Sequence, residues 1–224
     1  MTAAPRAARP RAVALLSGGL DSVVATWAAQ QTHDIALALT CDYGQRAAAQ
    51  EVRAAAAVAQ LLECPHVVVE LRWLGSLGGN ALTDAARDIP HPRADELDNV
   101  QAAQATARAV WVPNRNGVLL NVAAAYAEAW DCDAIVVGFN AEEAATFPDN
   151  SPAFMAAATD FFAHSTFRRP QVISPTAMLD KRQIVALGRK LGAPLQHIWS
   201  CYGGDEKPCG RCESCRRLAR ALGD

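Results

Sequence analysis

The stretch "AVALLSGGLDSVVAT", residues 12–26, decides the fold of this chain. An apolar run typical of a buried strand stops at Ser17, two glycines follow, and the chain becomes apolar again after Asp21 and Ser22. A strand that leads through such a turn directly into a helix points several backbone N–H groups at one spot, where the helix dipole adds positive potential. Because glycine has no Cβ, an anion can approach this backbone closely. The stretch therefore favours a phosphate-binding turn.

Asp21 is the unexpected member of this turn, since a carboxylate repels phosphate unless a cation lies between them. We expect Mg²⁺ to bridge Asp21 and the pyrophosphate part of a nucleotide, with the hydroxyls of Ser17 and Ser22 as further donors. The alternative is that Asp21 caps the helix and the glycines only form a tight turn. The spacing matches neither G-x-x-x-x-G-K nor G-x-G-x-x-G, so it is neither of those nucleotide-binding motifs.

Short β-rich runs alternate with longer alanine-rich stretches along the rest of the chain. The β-rich runs are almost continuously apolar, as expected of strands that are buried on both faces. This alternation predicts an α/β fold with a doubly wound, five-stranded parallel sheet. Residues 72–110 contain loop chemistry and are expected to form an inserted lid. The predicted strands are 12–16, 35–41, 66–71, 134–139 and 171–175, and the predicted helices are 21–31, 46–62, 117–130, 151–163 and 180–191.

The 224 residues are 51% hydrophobic and carry a formal net charge of −2. This size suits one domain with a small appendage, and we expect a nucleotide-binding domain at 1–198 and an appendage at 199–224. The charge argues against a generic nucleic-acid binder, which needs a basic surface. No apolar run approaches the ~18 residues of a membrane span, and the run after the N-terminal arginines is too short for a signal peptide. We therefore expect a cytoplasmic protein without nucleic-acid or membrane partners.

Four of the seven cysteines lie close together near the end of the sequence, in the pattern C-x7-C-x2-C-x2-C. Cys201, Cys209, Cys212 and Cys215 can supply four thiolates to one tetrahedral Zn²⁺. Four protein ligands leave no open position, so such a zinc ion would be structural. The alternatives are an iron–sulfur cluster, a redox pair or unrelated cysteines. The isolated cysteines are each expected to be a small buried hydrophobic residue, and they are Cys41, Cys64 and Cys132.

Polar residues follow the second and fourth predicted strands, at the same sheet edge as the glycine-rich turn. In open parallel sheets, ligands bind beyond the carboxyl ends of the strands. A carboxylate there can accept two hydrogen bonds from the N–H edge of a guanine-like base, and we assign this role to Asp149, against the alternative of a plain loop acid. The residues at this edge are Tyr43, Gln45 and Arg46 after the second strand, and Asn140, Glu142, Glu143 and Asp149 after the fourth.

Two basic residues are candidates for binding an anion. Arg115, between Asn114 and Asn116 near a predicted helix start, suits a phosphate or a carboxylate. Lys181, at the start of the last predicted helix, suits a nucleotide phosphate. The alternatives are an ordinary surface arginine near a helix cap and a solvated helix lysine.

The motif "SGGLDS" resembles the S-G-G-x-D-S signature of the pyrophosphate-loop ATP pyrophosphatases. With "DYGQR", "VPNRN", "GFNAE", "PD", "DK" and the cysteine set in the same order, residues 12–218 resemble the 7-cyano-7-deazaguanine synthase family. This resemblance implies an adenine-nucleotide α-hydrolase-like fold and an ATP-dependent C–N ligase. The implied reaction converts 7-carboxy-7-deazaguanine and ammonia into 7-cyano-7-deazaguanine (preQ0), a queuosine precursor, through adenylated carboxylate and amide intermediates. It needs no protein nucleophile.

The resemblance also implies roles for individual residues. Asp21, Ser22, Arg115 and Lys181 are expected to be catalytic, with ATP, Mg²⁺ and structural Zn²⁺ bound, and Trp199 is expected to lie over the substrate. We further expect a homodimer. The implied nucleotide contacts are Leu16, Ser17, Gly18, Gly19, Leu20, Asp21, Ser22 and Thr26, and the implied substrate contacts are Tyr43, Gln45, Arg46, Asn116, Asn140, Glu142, Glu143 and Asp149.

The chain departs from the family pattern at several positions. Ala47 stands where a histidine usually follows "DYGQR", and Asn114 replaces the glycine of V-P-G-R-N. Residues 143–147 read "EAATF" where D-Y-S-G-Y is usual, and "NS" at 150–151 replaces C-R. Hydroxyls and an arginine that would be available for substrate contacts are therefore missing, which keeps a different acyl substrate open. A tRNA-modifying pyrophosphate-loop enzyme and a zinc-stabilised nucleotide-binding regulator are two further functions compatible with these motifs.

Overall fold

The structure is a computed structural model that describes residues 9–97 and 99–223. Within them, five strands form one sheet in the order β3-β2-β1-β4-β5, and each neighbouring pair is parallel. The predicted doubly wound parallel sheet is confirmed. The expectation that the N-terminal segment is not a signal peptide concerns mostly residues 1–8, which lie outside the described residues. Residue 224 also lies outside them. The strands are β1 (Arg11–Leu15), β2 (Asp34–Asp42), β3 (His66–Glu70), β4 (Ala134–Val136) and β5 (Gln171–Ile173).

Helices cover both faces of the sheet. Adjacent residues of a strand point to opposite faces, so Ala12 and Ala14 of β1 pack against Ala25, whereas Val13 packs with Leu120. None of the described helices is long and apolar enough to cross a bilayer. The helices are α1 (Leu20–Ala29), α2 (Ala48–Leu61), α3 (Arg72–Ser76), α4 (Val100–Val110), α5 (Arg115–Ala129), α6 (Ala141–Ala144), α7 (Pro152–Ser165), α8 (Lys181–Leu191) and α9 (Glu213–Leu222).

The strand order places a crevice at the centre of the sheet. From β1 the chain winds outward through β2 and β3 on one side, and β4 and β5 lie on the other side. Helices leaving β1 and β4 therefore go to opposite faces, and the carboxyl ends of these two strands border the crevice. β4 ends at Val136, three residues before the predicted end at residue 139. The chain then passes over α1 so closely that a Cβ on Gly138 would lie 2.6 Å from the Cα of Ser22.

Residues 72–110 contain α3 and α4 and are tied to the start of α2. The backbone N–H of Arg46 donates to the carbonyl of Leu82 over 2.8 Å. The Arg46 guanidinium donates to the carbonyls of Asp84 and Arg87. These contacts fix where the insertion begins to cover the crevice, and its role as a lid stays a prediction.

The segment after residue 198 packs back on the beginning of the chain. The backbone N–H of Trp199 donates to the carbonyl of Gly18 over 2.8 Å. α8 packs on α1 through Ile184 and Val24, and Leu218 of α9 joins the same apolar cluster. The cysteine-rich segment is thereby held beside the glycine-rich turn.

Candidate active site

A cavity of ≈ 280 Å³, called the cleft below, lies beyond the carboxyl ends of β1 and β4. It brings together most of the residues that the sequence singled out, although they come from distant parts of the chain. Trp199 also lines the cleft, as expected. The predicted residues on its wall are Leu16, Ser17, Gly19, Leu20, Asp21, Ser22, Tyr43, Arg115, Asn116, Glu142, Glu143, Asp149 and Lys181.

The glycine-rich turn leaves the first turn of α1 without a side-chain cap. Gly19 is the N-cap residue and has no side chain with which to cap the helix. Its own backbone N–H donates to the Ser17 hydroxyl over 3.3 Å. Asp21 lies inside the helix, so the alternative in which it acts only as the cap is not supported. Gly18 shapes the turn from outside the cleft wall: its φ is +78°, and a Cβ there would lie 2.6 Å from the Cβ of Ala54. The uncapped N–H groups are what an anion-binding turn requires.

Thr26 and Asn140 do not reach the cleft wall. The Thr26 hydroxyl is buried and donates to the carbonyl of Ser22 over 2.7 Å. Asn140 caps α6 by accepting a hydrogen bond from the backbone N–H of Glu143 over 3.0 Å. Their side chains stabilise neighbouring parts of the site, so we assign them positioning roles in place of direct contacts.

Gln45 and Arg46 also point away from the cleft. The Gln45 amide donates to the carbonyl of Cys41 over 3.1 Å and to Oε2 of Glu51 over 2.8 Å. Its Oε1 accepts from the backbone N–H of Tyr43 over 2.9 Å. Gln45 therefore fixes the loop that presents Tyr43, whereas the Arg46 guanidinium hydrogen-bonds to the inserted segment 72–110. We therefore assign both residues positioning roles in place of the substrate contacts that the sequence predicted.

Lys181 joins two acids at the centre of the cleft. Its ammonium forms an ion pair with Oδ2 of Asp21 and lies 2.9 Å from Oε1 of Glu143. Burial raises the pKa of Asp21 to about 6, although the Lys181 ammonium acts to lower it. Burial acts to lower the pKa of Lys181, but the two carboxylates outweigh it and raise that pKa. Oδ1 of Asp21 is buried and has no hydrogen-bond partner among the described residues.

A second charged group lies beside the first and comes from α9. Nη1 of Arg217 lies 2.8 Å from Oε2 of Glu142, and Nη2 lies 2.8 Å from Oε1 of Glu213. The other oxygen of Glu142 accepts from the backbone N–H of Lys181 over 2.9 Å. Glu142 is thus held on both oxygens and connects α8 with α9.

Arg115 and Asp149 also belong to the wall of the cleft. Nη1 of Arg115 is 3.4 Å from the Tyr43 hydroxyl, and its guanidinium lies 5.8 Å from the centre of that ring. Asn116 donates to the backbone carbonyl of Asp149 over 3.1 Å. Burial raises the pKa of Asp149, and the Arg115 guanidinium partly offsets this. Asn114, which replaces the usual glycine, has a φ of +50°, a left-handed conformation that asparagine tolerates better than most residues.

Two aromatic rings add a flat apolar surface to the same wall. Trp111 and Phe147 are stacked with their ring centroids 5.9 Å apart and their planes 9° from parallel. Both line the cleft. A planar heterocycle can pack against such rings while polar groups read its edge.

The four clustered cysteines form a group that fits one zinc ion. Their sulfur atoms all lie within 4.8 Å of one another, and no disulfide joins them. Backbone N–H groups of Gly203 and Cys209 donate to Sγ of Cys201 over 3.3 Å, and that of Cys212 donates to Sγ of Cys209 over 3.3 Å. Amides directed at sulfur favour thiolates, which are the form that binds a metal. The donor set and its compactness fit a tetrahedral structural site.

Several wall residues were not found by sequence reasoning. Glu51 lies six residues after Gln45, one turn into α2, and the position of that helix start at the sheet edge was a signal for it. Tyr202, Glu213 and Arg217 reach the cleft through the folding back of the last segment, for which the sequence gives no local signal. The missed residues are Glu51, Trp111, Phe147, Tyr202, Glu213 and Arg217.

Comparison with known proteins places the chain in a family. A 7-cyano-7-deazaguanine synthase of Pelotomaculum thermopropionicum is 50% identical over 94% of this chain and 96% of its own. A 7-cyano-7-deazaguanine synthase of Desulforudis audaxviator is 51% identical over 94% of this chain and 96% of its own. The NMN synthetase structure from Francisella tularensis covers 97% of this chain and 85% of its own, with a TM-score of 0.47 and 15% identity, too distant to bear on function. The family described as queuosine biosynthesis protein QueC matches residues 11–224, and the chain belongs to it.

Proposed function

We propose that the protein converts 7-carboxy-7-deazaguanine and ammonia into 7-cyano-7-deazaguanine, with two ATP molecules cleaved to AMP and pyrophosphate. Family membership supports the reaction. The observation that carries it in this chain is one cleft that is lined by a glycine-led helix start, by Arg115 and by Asp149. One end suits a triphosphate and the other suits a guanine-like base.

The nucleotide end has the groups that pyrophosphate departure requires. The backbone N–H groups at Gly19 and the hydroxyl of Ser17 can hold phosphate oxygens, and Lys181 adds a positive charge. The buried, unpartnered Oδ1 of Asp21 fits a ligand of Mg²⁺, which takes oxygen donors and would supply charge neutralisation for the phosphates. These donors act on charge that develops as the bond to pyrophosphate breaks.

The other end orients the acyl substrate. Asp149 accepts the two N–H groups of the base edge, and Trp111 with Phe147 packs on its plane. Arg115 binds the carboxylate or the phosphate next to it. A carboxylate is inert toward ammonia because oxide is a poor leaving group, whereas AMP leaves readily. The wall contributes orientation and exclusion of water, which protects the adenylate from hydrolysis.

The cysteine group is proposed to hold zinc and to fix the last wall of the cleft. Trp199, Tyr202 and Arg217 flank the cysteines and all line the cleft. We also propose a nucleotide-binding domain at 1–198 with a zinc knuckle at 199–224, a cytoplasmic location, a homodimer, and small-molecule partners without nucleic acid.

The test is product analysis with purified protein. Incubation with ATP, MgCl₂, ammonium and 7-carboxy-7-deazaguanine should give the nitrile by mass spectrometry, with two AMP per nitrile. Asp21→Ala should abolish AMP release while leaving the circular dichroism spectrum unchanged. Absence of nitrile with the wild-type protein, or AMP release only with another acyl substrate, would overturn the assignment, and submicromolar tRNA binding would favour a tRNA-modifying enzyme.

A further inference from the structure

The proposed reaction requires a proton acceptor that none of the roles above provides. The nitrile nitrogen carries none of the hydrogens of ammonia, so three protons must leave one nitrogen atom during the two steps. A positioned base speeds such transfers by ~10²–10⁴-fold. The inference below rests on the proposed function and names the group that accepts these protons.

Most acids on the cleft wall are already neutralised. Asp21 and Glu143 share the ammonium of Lys181. Glu142 and Glu213 share the guanidinium of Arg217. Protonation of any of these four carboxylates would weaken an ion pair. Asp21, whose pKa burial raises to about 6, is in addition the proposed ligand of Mg²⁺.

Two wall acids, Glu51 and Asp149, have no lysine, arginine or histidine within ion-pair distance in the part of the chain that the structure describes. Asp149 is the proposed acceptor for the N–H edge of the base, and it must stay ionised to accept two hydrogen bonds there. Glu51 is contacted by a neutral donor, the Gln45 amide, at 2.8 Å on Oε2. Its Oε1 makes no hydrogen bond within residues 9–97 and 99–223 and is therefore free to receive a proton.

The position of Glu51 agrees with this role. It lies in the first turn of α2, and its backbone carbonyl is 2.8 Å from the point that a Cβ of Gly18 would occupy. It therefore adjoins the phosphate-binding turn, on the wall that also carries Tyr43 and Arg115. The α-phosphate and the acyl carbon meet in this region if ATP and the base occupy the two ends of the cleft.

The electrostatic surroundings of Glu51 favour the uptake of a proton. Burial raises the pKa of Glu51, while the Gln45 hydrogen bond and the Arg115 guanidinium lower it and the Asp42 carboxylate raises it. Burial raises the pKa of the Tyr43 phenol, and the Glu51 carboxylate adds to this, so the phenol stays neutral.

We propose that Glu51 is the general base of both amination steps. In the first, the N–C bond forms as ammonia attacks the acyl adenylate, Glu51 takes a proton from nitrogen, and the C–O bond to AMP breaks with its electron pair to give the amide. In the second, the amide oxygen attacks the α-phosphorus of ATP and pyrophosphate leaves. The nitrogen then loses its two remaining protons, through Glu51 and from it to solvent, as the C–O bond to AMP breaks and the nitrile forms.

The experiment compares Glu51→Gln with the wild type and with Glu63→Gln. Glutamine keeps an oxygen for the Gln45 amide but accepts no proton, and Glu63 is an exposed acid just beyond α2, so its variant removes the same charge elsewhere. Carboxylate-dependent exchange of labelled pyrophosphate into ATP, without ammonium, reports adenylation alone. Amide and nitrile formation, at fixed free ammonia and varied pH, reports the proton-dependent steps.

Glu51→Gln should keep exchange within about threefold of the wild type but form amide and nitrile at least ~100-fold more slowly. The rise of its nitrile rate with pH should also disappear, while Glu63→Gln matches the wild type in every assay. Nitrile formation by Glu51→Gln near the wild-type rate, or an equal loss of exchange and amination, would overturn the role of Glu51. If the wild type itself shows no exchange with 7-carboxy-7-deazaguanine, it is the proposed function that fails.

Discussion

Gly18 illustrates how one residue serves both folding and binding. Its left-handed backbone conformation and its close contact with α2 both disfavour a side chain. The turn that results exposes the N–H groups of the residues that follow. A residue with a Cβ would have to distort either the turn or the start of α2. The glycine is therefore needed for packing as well as for the approach of an anion.

Gly18→Ala should be more destabilising than Gly44→Ala. Both residues have positive φ, +78° and +87°, so alanine costs about 1–2 kcal/mol at either position. Only Gly18 adds a clash, since nothing lies within 4 Å of a Cβ on Gly44. Urea unfolding should give a free energy of unfolding ~1–3 kcal/mol lower for Gly18→Ala than for Gly44→Ala. Equal values would contradict the packing account.

Asp21 should make stability depend on pH. Because its pKa is raised to about 6 in the folded protein, the folded state binds more protons than the unfolded state just below that pH. Stability linked to this group is therefore lost as pH rises from about 4 through about 6 and is level above it.

Urea unfolding of wild type and Asp21→Asn between pH 5 and 7 isolates this effect, because other groups cancel in the difference. The wild type should lose stability relative to the variant as pH rises across this range. A constant difference would show that Asp21 is ionised throughout, and a change in the opposite direction would show that folding does not raise its pKa.

At the scale of elements, the cleft is built from helix starts. α1, α2, α5 and α8 all begin at the carboxyl edge of the sheet, and each contributes a wall residue from its first turn: Asp21, Glu51, Arg115 and Lys181. This follows from the parallel strands, because each helix that begins at the carboxyl edge of the sheet has its N-terminus, the positive end of its dipole, at the crevice. The positive helix ends favour the carboxylates among these residues, and two carboxylates, Asp21 and Glu143, in turn hold the Lys181 ammonium.

Arg46 should control the anchoring of the 72–110 insertion. Its guanidinium donates to the carbonyls of Asp84 and Arg87. Charge-assisted hydrogen bonds are worth about 1.5–3 kcal/mol, so Arg46→Met should speed trypsin cleavage after Arg87 by ~10-fold or more through local opening. Arg53→Met, which removes an exposed arginine from the adjoining helix α2, should leave the cleavage rate unchanged. Similar rates for both variants would argue against anchoring by Arg46.

The sequence was most informative where a constraint is local. The continuous apolar runs predicted the five strands because both sheet faces are covered, and the turn at residues 17–22 marked the crevice. Strand ends were less predictable: β4 stops at Val136 because the chain crosses α1, which the apolar "VVGF" does not reveal. Gln45 and Arg46 adjoin the crevice in sequence, yet their side chains turn away from it because they bond to Glu51 and to the insertion.

At the scale of the whole molecule, the segment that carries the four cysteines is joined to the glycine-rich turn. It carries Tyr202 and Arg217 to the cleft, while the neighbouring Trp199 bonds to Gly18. The approach of α9 to α8 and α1 brings residues more than 190 positions apart into one apolar cluster. Such long-range contacts could not be predicted from sequence spacing.

Cys212→Ser should lose the metal, whereas Cys64→Ser should keep it. The sulfur atom of Cys212 lies within 4.8 Å of the other three, and Cys64 is isolated and half-buried. Elemental analysis should find about one zinc per wild-type chain and far less in Cys212→Ser. The same variant should be less soluble and melt at a lower temperature, since the last cleft wall is released. Full zinc content in Cys212→Ser would exclude the four-cysteine site.

The hydrogen bond from Trp199 to Gly18 has a consequence for synthesis of the protein. The glycine-rich turn leaves the ribosome early, but the walls that complete its cleft are made only after residue 198. A growing chain therefore has the proposed phosphate-binding turn before it has the part of the cleft wall that Trp199, Tyr202 and Arg217 supply. We expect nascent chains to be catalytically silent, so that ATP is not wasted before translation is finished.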